Sequence, residues 1–190
     1  MSASTEHTVV VSFIGDCGEE LFLPVSRGIQ RVFGCGVKRM PLLTDVDFAL
    51  DPNRDQYHST LILDKLAEAA PEGAAKVLAI TAVDLFIPIL THVYGEAQLG
   101  GKTCIVSTFR LKEGLSPLSA QDTYQVRLVK EAIHELGHTF NLRHCQDPAC
   151  IMHYCRSVRD VDRKSDQMCR YCKVLFDDEM KRLAKQASSA

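Results

Sequence analysis

The chain has 190 residues, of which 46% are hydrophobic, with a formal net charge of -2 and a pI of about 6.4. This length fits one domain with a real apolar core, so we expect a single unit over residues 1–190. The near-balanced charge argues against a nucleic-acid partner. No apolar run approaches the roughly 18 residues of a membrane span, and the N-terminus lacks the basic start of a signal peptide. We therefore expect a cytoplasmic monomer that binds neither nucleic acid nor membranes.

The first half of the chain alternates between strand and helix patterns. In chain order, the patterns predict a strand over 8–14, a helix over 23–33, a strand over 37–43, a polar loop over 51–58, a helix over 59–70 and a strand over 76–86. The last strand is almost continuously apolar, as is typical of a strand buried on both faces. This alternation predicts an α/β fold with two βαβ units and a largely parallel sheet.

Two short segments, 92–99 and 102–111, are separated by the pair Gly100-Gly101, which favours a tight reversal and an antiparallel strand at the sheet edge. A loop over 112–122 follows. Apolar residues spaced three to four apart then predict a helix from Thr123 to Phe140, capped by Ser119 or Asp122. A last helix is expected over 177–186, with acids in its first turn.

The string HELGHTFNLRH carries the strongest functional signal. His134 and His138 are four residues apart, so on a helix they share one face and can hold one metal ion. Glu135 lies one position further round, where its carboxylate reaches a metal-bound water without binding the metal. A zinc-bound water has its pKa lowered to about 7, and a nearby carboxylate can take its proton. The pattern predicts a catalytic zinc site in a hydrolase.

A third ligand, His144, requires the chain to turn near Asn141. The extended zinc motif has glycine at this turn because the position needs a positive φ. Asparagine is among the residues that best tolerate this conformation, so the turn remains feasible. The competing interpretation, an amphipathic helix with two surface histidines, explains neither His144 nor the cysteines that follow it.

Five of the eight cysteines crowd into residues 145–172. Four of them predict a tetrahedral structural zinc site: Cys145, Cys150, Cys169 and Cys172. Such a site would clamp the polar segment 146–167, which buries too little apolar surface to fold alone. Reduced buried cysteines and a pair of disulfides are the alternatives. Cys155 has no assigned partner.

Met152 and Tyr154 follow the third histidine. Met152 resembles the Met-turn of metzincins, where a methionine forms an apolar floor beneath the metal ligands. Tyr154, two residues later, resembles the MHY arrangement of some metzincin subfamilies, in which the tyrosine can bind zinc or stabilise the oxyanion; a packed or surface tyrosine is the alternative. We do not expect His153 to be a ligand.

Together these residues resemble the archaemetzincin family of metallopeptidases. The similarity rests on HELGHTFNLRHC, four residues, CIM, sixteen residues and CRYC, and it extends to VDLFIP, VYGEAQLGGK, IVSTFRL and DPNRDQYHSTLIL. It covers nearly the whole chain. This sequence departs from the family's motif at one position, where Asn141 replaces glycine.

The resemblance implies a compact metzincin-like domain with two zinc ions per chain. Residues 1–141 would form an α/β part with the active-site helix, and residues 142–190 a C-terminal part held by the structural zinc. The catalytic ion maps to His134, His138 and His144, and the base to Glu135. An antiparallel edge strand near residues 93–98 would bind a peptide or protein substrate by adding a strand.

The sequence is compatible with three candidate functions. The first is a zinc peptidase. The second, motivated by Asn141, is a metzincin-like binding or regulatory protein with little or no activity. The third, a zinc-ribbon nucleic-acid binder, is disfavoured by the charge balance and the few aromatic residues.

Overall fold

The computed structural model of the protein describes residues 7–115 and 120–187. Eight strands and five α-helices are present in this part of the chain. In order they are β1 Thr8–Ile14, α1 Phe22–Phe33, β2 Gly36–Arg39, β3 Leu50–Asp51, β4 Gln56–His58, α2 Ser59–Ala69, β5 Lys76–Thr81, β6 Leu85–Phe86, β7 Gly95–Ala97, β8 Thr103–Ser107, α3 Ala120–Thr139, α4 Val158–Arg163 and α5 Arg170–Ala187.

The main sheet has the strand order β2-β1-β5-β8-β7. The first four strands are mutually parallel, and β7 runs antiparallel to β8 at the sheet edge. The predicted α/β fold with a mostly parallel sheet and an antiparallel edge strand is confirmed. The strands β3, β4 and β6 form a separate three-stranded sheet.

Helices cover both faces of the main sheet. Val9 and Val11 of β1 point to the face that carries α1, α3 and α5, whereas Val10 points to the face covered by α2. This alternation follows from the strand's two-residue period. Every residue of β5 is buried, as its apolar sequence predicted. Since α3 packs against β8 and β7, the histidine-bearing helix lies beneath the sheet edge.

Several predicted boundaries were wrong. The strand expected over 37–43 stops at Arg39, because Pro41 lacks the N–H that a ladder needs. The loop expected over 51–58 contains strand residues that pair with one another and with β6. The strand expected over 76–86 is divided, since β5 ends at Thr81 and β6 joins the small sheet.

The C-terminal part is also more helical than expected. The last helix begins at Arg170 rather than Asp177, so the CRYC motif lies at its start. The polar segment contains α4, which begins with a capping box in which Asp160 Oδ2 accepts the Ser157 N–H at 3.0 Å. Helix α3 begins at Ala120, so Asp122 lies inside its first turn rather than at its cap. Ser119 lies outside the described residues. Among those residues, no helix is long and apolar enough to cross a membrane.

We expect Phe140→Ala to lower the free energy of unfolding by about 3–5 kcal/mol, because a buried aromatic is removed without a replacement. Phe140 is 1% exposed and its ring centroid lies 5.1 Å from that of Phe33 and 5.3 Å from that of Phe176. Denaturant unfolding measures the change. Phe48→Ala, at a side chain 48% exposed, is the control and should shift stability by at most about 0.5 kcal/mol. Equal losses in the two variants would contradict the role of the ring cluster.

Candidate metal centre

Helix α3 presents His134 and His138 one turn apart. The Nδ1 atom of His134 lies 2.9 Å from the Ile151 carbonyl oxygen, and that of His138 lies 2.7 Å from the Leu142 carbonyl oxygen. A carbonyl oxygen only accepts hydrogen bonds, so each neutral ring is protonated at Nδ1 and presents a lone pair at Nε2. The two Nε2 atoms lie 3.1 Å apart. Two lone pairs at this distance repel unless a cation lies between them.

The chemistry of this donor set fits zinc. Zinc binds imidazole nitrogen at about 2.0–2.1 Å with tetrahedral geometry, which separates two nitrogen ligands by about 3.3 Å. The observed separation is close to this value. The backbone carbonyls behind the rings fix their orientation, as is usual for metal-binding histidines.

Asn141 turns the chain toward the third histidine. It adopts the left-handed conformation, with φ of 63°. Its N–H donates to the His138 carbonyl at 2.9 Å, and the Leu142 N–H donates to the Gly137 carbonyl at 3.0 Å. This pair of bonds is the Schellman motif, which ends a helix and usually has glycine at the left-handed position. Asparagine therefore preserves the turn that the sequence requires.

The turn brings His144 to the other two histidines. Its ring centroid lies 5.4 Å from that of His134 and 4.9 Å from that of His138. One ligand atom from each of the three residues falls within 4.8 Å of the others. His134 is buried, His138 is half-buried and His144 is exposed, so the group faces an open cleft.

Burial keeps the histidines in the form that binds metal. It lowers the pKa of His138 to about 4 and the pKa of His134 well below its usual value, because a charged imidazole is poorly solvated there. The pKa of the more exposed His144 is also lowered, by partial burial of its ring and by the nearby Lys164 ammonium group. Neutral rings at neutral pH do not have to release a proton before they bind a cation.

Glu135 lies in the same cleft as the histidines, opposite the sheet edge. Gly95 of β7 makes room for it: a Cβ atom at Gly95 would lie 2.7 Å from the Glu135 Cγ atom and 2.6 Å from the Ile105 carbonyl oxygen. Burial, with the Glu131 carboxylate nearby, raises the pKa of Glu135 well above its usual value. A cation at the histidines would oppose that shift by favouring the carboxylate.

The four predicted cysteines form a second group, with their sulfur atoms all within 4.8 Å of one another. Cys145 Sγ and Cys169 Sγ are 3.7 Å apart, and tetrahedral zinc with Zn–S bonds of about 2.3 Å separates two sulfurs by about 3.8 Å. All four are free thiols, an arrangement that favours a metal site over the alternative of two disulfides. Burial, with the Cys150 side chain nearby, raises the pKa of Cys172. The four sulfur atoms thus have the spacing of a four-thiolate metal site.

The segment that follows Cys150 packs against the histidines. Met152 is fully buried, and a Cβ atom at Gly137 would overlap its sulfur, so α3 and Met152 are in close contact. Tyr154 is 44% exposed and its ring centroid lies 5.1 Å from that of His144. The tyrosine lines the cleft but is outside the metal-ligand group. His153 instead faces the Cys145 carbonyl oxygen, with its Nδ1 atom 2.9 Å away.

Sequence reasoning missed a buried ion pair beside the site. Lys164 Nζ and Glu131 Oε1 are 2.7 Å apart, at side chains 0% and 4% exposed, with the distance of an ion pair but without good hydrogen-bond angles. Burial alone would lower the pKa of Lys164, but Glu131 raises it above its usual value. In the sequence, the spacing of Glu131 and Glu135, which is one helical turn, indicates that Glu131 lies near the site. No sequence pattern indicates that Lys164, far along the chain, pairs with Glu131.

Comparison with known proteins gives consistent results. Residues 42–178 match the sequence model of Peptidase family M54. An archaemetzincin from Halobacterium salinarum is 35% identical over 163 residues, which span 84% of this chain and 93% of that protein. The crystal structure of archaemetzincin from Methanopyrus kandleri superposes with a TM-score of 0.82 at 31% identity, over 95% of this chain and 99% of that one. A zinc-dependent peptidase from Methanocorpusculum labreanum gives a TM-score of 0.79 at 29% identity, over 88% and 99% of the respective chains.

The left-handed conformation of Asn141 leads us to expect different effects for two substitutions at this position. Asn141→Gly should stay within about 1 kcal/mol of the parent, because glycine adopts positive φ freely. Asn141→Val should be at least about 1–2 kcal/mol less stable than the glycine variant, because a β-branched side chain is strained there. Denaturant unfolding of the metal-free proteins gives both values. Equal stability of the valine and glycine variants would contradict the assigned conformation.

Cysteine replacement tests the second group. Cys172→Ser should reduce the zinc content by one ion per chain, because a serine hydroxyl does not ionise to complete a four-thiolate site. Metal analysis of the purified proteins measures it. Cys155→Ser is the matched control, since Cys155 lies outside the group and should leave the zinc content unchanged. Unchanged zinc in the Cys172 variant would exclude this residue as a ligand.

Proposed function

The chain belongs to peptidase family M54, and we propose that it cleaves peptide bonds with a zinc ion bound by His134, His138 and His144 and with Glu135 as the general base. Its membership makes it a zinc metallopeptidase that acts on peptide or protein substrates. The observation that carries the proposal is the pair of Nε2 lone pairs 3.1 Å apart, with each Nδ1 atom held by a backbone carbonyl.

A bound zinc ion supplies a Lewis acid that polarises the scissile carbonyl and lowers the pKa of water. The protein residues perform the remaining tasks. His134 and His138 are fixed by α3, and His144 lies at the exposed side of the group, so a zinc ion held by the three histidines would face the cleft. A three-ligand site with an open position is the arrangement of catalytic rather than structural zinc.

Glu135 takes the proton from the attacking water and later returns it to the leaving amine. Its carboxylate is nearly buried between α3 and the edge strand, which shields it from bulk water. General acid–base catalysis requires such a group within hydrogen-bond reach of the transferred proton. We propose that Tyr154 donates to the carbonyl oxygen as negative charge develops, and its support is that the exposed ring lies 5.1 Å from the His144 ring in the same cleft.

We assign a second, structural zinc ion to Cys145, Cys150, Cys169 and Cys172, which gives two ions per chain. Four thiolates would close the coordination sphere, so a zinc ion held there would have no position for substrate. It would fasten the segment that contains Met152 and Tyr154 to the start of α5. Met152, which is buried against Gly137, would form the apolar floor beneath the histidines.

The substrate is proposed to extend along β7. This strand ends the main sheet, and Gly95, Glu96 and Ala97 line the same cleft as the histidines. An extended peptide that pairs with a free sheet edge gains main-chain hydrogen bonds without depending on its sequence. The alternative of an inactive binding protein assumes a misplaced His144, and the Asn141 turn, which brings His144 to the other two histidines, argues against it. A cytoplasmic monomer that binds neither nucleic acid nor membranes stays our prediction.

The mechanism predicts that Glu135→Gln retains metal but loses hydrolysis. We expect kcat to fall by roughly 10²–10⁴-fold, since the base is removed while the ligands remain. Metal analysis and a peptide-library cleavage assay on the same sample measure both properties. Glu72→Gln, an exposed carboxylate outside the cleft, is the control and should keep full activity. Full activity in the Glu135 variant would overturn the mechanism, and loss of metal would make Glu135 a ligand rather than a base.

A further inference from the structure

Lys76 is a buried lysine whose hydrogen bonds are made to backbone. It is the first residue of β5 and is 5% exposed. Its Nζ atom donates to the Thr139 carbonyl at 2.6 Å and to the Gly101 carbonyl at 2.7 Å. The same nitrogen lies 4.9 Å from the centre of the Phe140 ring. Within the described residues, its hydrogen-bond acceptors are thus two carbonyls rather than a carboxylate.

The two carbonyls belong to different structural elements, the end of α3 and the turn between β7 and β8. Thr139 is the last residue of α3, where the final carbonyls have no partner inside the helix and carry partial negative charge. Gly101 lies in the reversal that joins β7 to β8. One ammonium group therefore connects the end of the histidine helix to the hairpin that forms the sheet edge.

Two further contacts join the same segments. The Gly100 N–H donates to the His138 carbonyl at 2.9 Å. A Cβ atom at Gly100, where φ is 66°, would lie 3.5 Å from the Asn141 side-chain oxygen. The hairpin thus rests directly on the left-handed turn that leads to His144. A shift of either segment would move the third histidine relative to the first two.

We infer that Lys76 is a positioning residue for the metal centre. Its ammonium group holds the end of α3 and the edge hairpin in one arrangement, and so keeps both His144 and the strand beside Glu135 in place. The inference rests on the proposed function for its consequence in catalysis. The effect of Lys76 on metal binding at the histidines can be measured without an assay of peptide cleavage.

The opposing interpretation is that Lys76 only fills space. A buried charge is often replaced by a hydrophobic residue of similar volume at no loss of stability. Lys76→Met would then leave the histidine site as it is. Metal affinity separates the two interpretations, because groups that hold metal ligands from behind typically contribute 10–100-fold to affinity.

The test is a Co²⁺ titration of Lys76→Met, with the cysteine site as an internal reference. Cobalt bound to thiolates and cobalt bound to histidines have different absorption bands, so the two affinities are read separately. We expect about tenfold weaker binding at the histidines and unchanged binding at the cysteines. In the metal-free variant, amide hydrogen exchange at residues 140–142 should be faster, while β1 and β5 keep their protection.

Lys102→Met is the matched control. Lys102 also donates to a backbone carbonyl, that of Pro71 at 2.8 Å, and it follows Gly101 directly, but it does not contact the end of α3 through this bond. It should leave both affinities and the exchange at 140–142 unchanged. Should Lys76→Met not fold, Lys76→Gln replaces it, because glutamine keeps a polar donor but lacks the charge and the reach to hold both carbonyls.

Parental affinity at the histidines in the folded variant would overturn the inference. So would an equal loss at both metal sites, which indicates a general loss of stability. A peptide-cleavage assay is run in parallel, in which the inference predicts a lower kcat/KM for the Lys76 variant only. If no form of the protein cleaves peptides, the proposed function fails while the metal and exchange measurements still decide the role of Lys76.

Discussion

The metal centre depends on one backbone conformation, the positive φ of Asn141. Two ligands on a straight helix can share a face, but a third ligand six residues later cannot reach them unless the helix ends. The left-handed residue ends α3 and returns the chain, so that the Leu142 carbonyl accepts from His138 and His144 meets the other rings. The residue that terminates the helix therefore also orients a ligand that precedes it. The same turn therefore determines both where α3 ends and how the metal-binding histidines are oriented.

Small residues allow the edge strand β7 and the helix α3 to pack closely against their neighbours. Gly95 allows Glu135 to lie against β7, and Gly137 allows α3 to lie against Met152. A larger side chain at Gly95 would overlap the Ile105 carbonyl oxygen, and one at Gly137 would overlap Met152, so either would push the packed elements apart. The cleft is consequently bounded by backbone on one side and by the histidines on the other. A substrate that pairs with the edge strand would pass within reach of the base.

Much of this arrangement could be predicted from the sequence, because its signals are local. The spacing of His134 and His138, the glycine pair at 100–101 and the apolar strand β5 each depend on neighbouring residues. The failures involve long-range partners. Strand β6 leaves the path of β5 to pair with β4, and Lys76 and Lys164 gain their roles only through residues far along the chain. The start of α5 is a local exception, because the CRYC motif indicates a metal-ligand pair and gives no clear helix signal of its own.

The adjacency of His144 and Cys145 has a consequence for how this fold can vary. The last histidine of one group and the first cysteine of the other are joined by a single peptide bond. An inserted or deleted residue between Gly137 and Cys145 would move one group out of register with the other, whichever residue it was. Chain length in this stretch is thus fixed more tightly than amino-acid identity, as the asparagine at the turn illustrates. Grafting the site onto another scaffold would require residues 134–172 to be transferred as one piece.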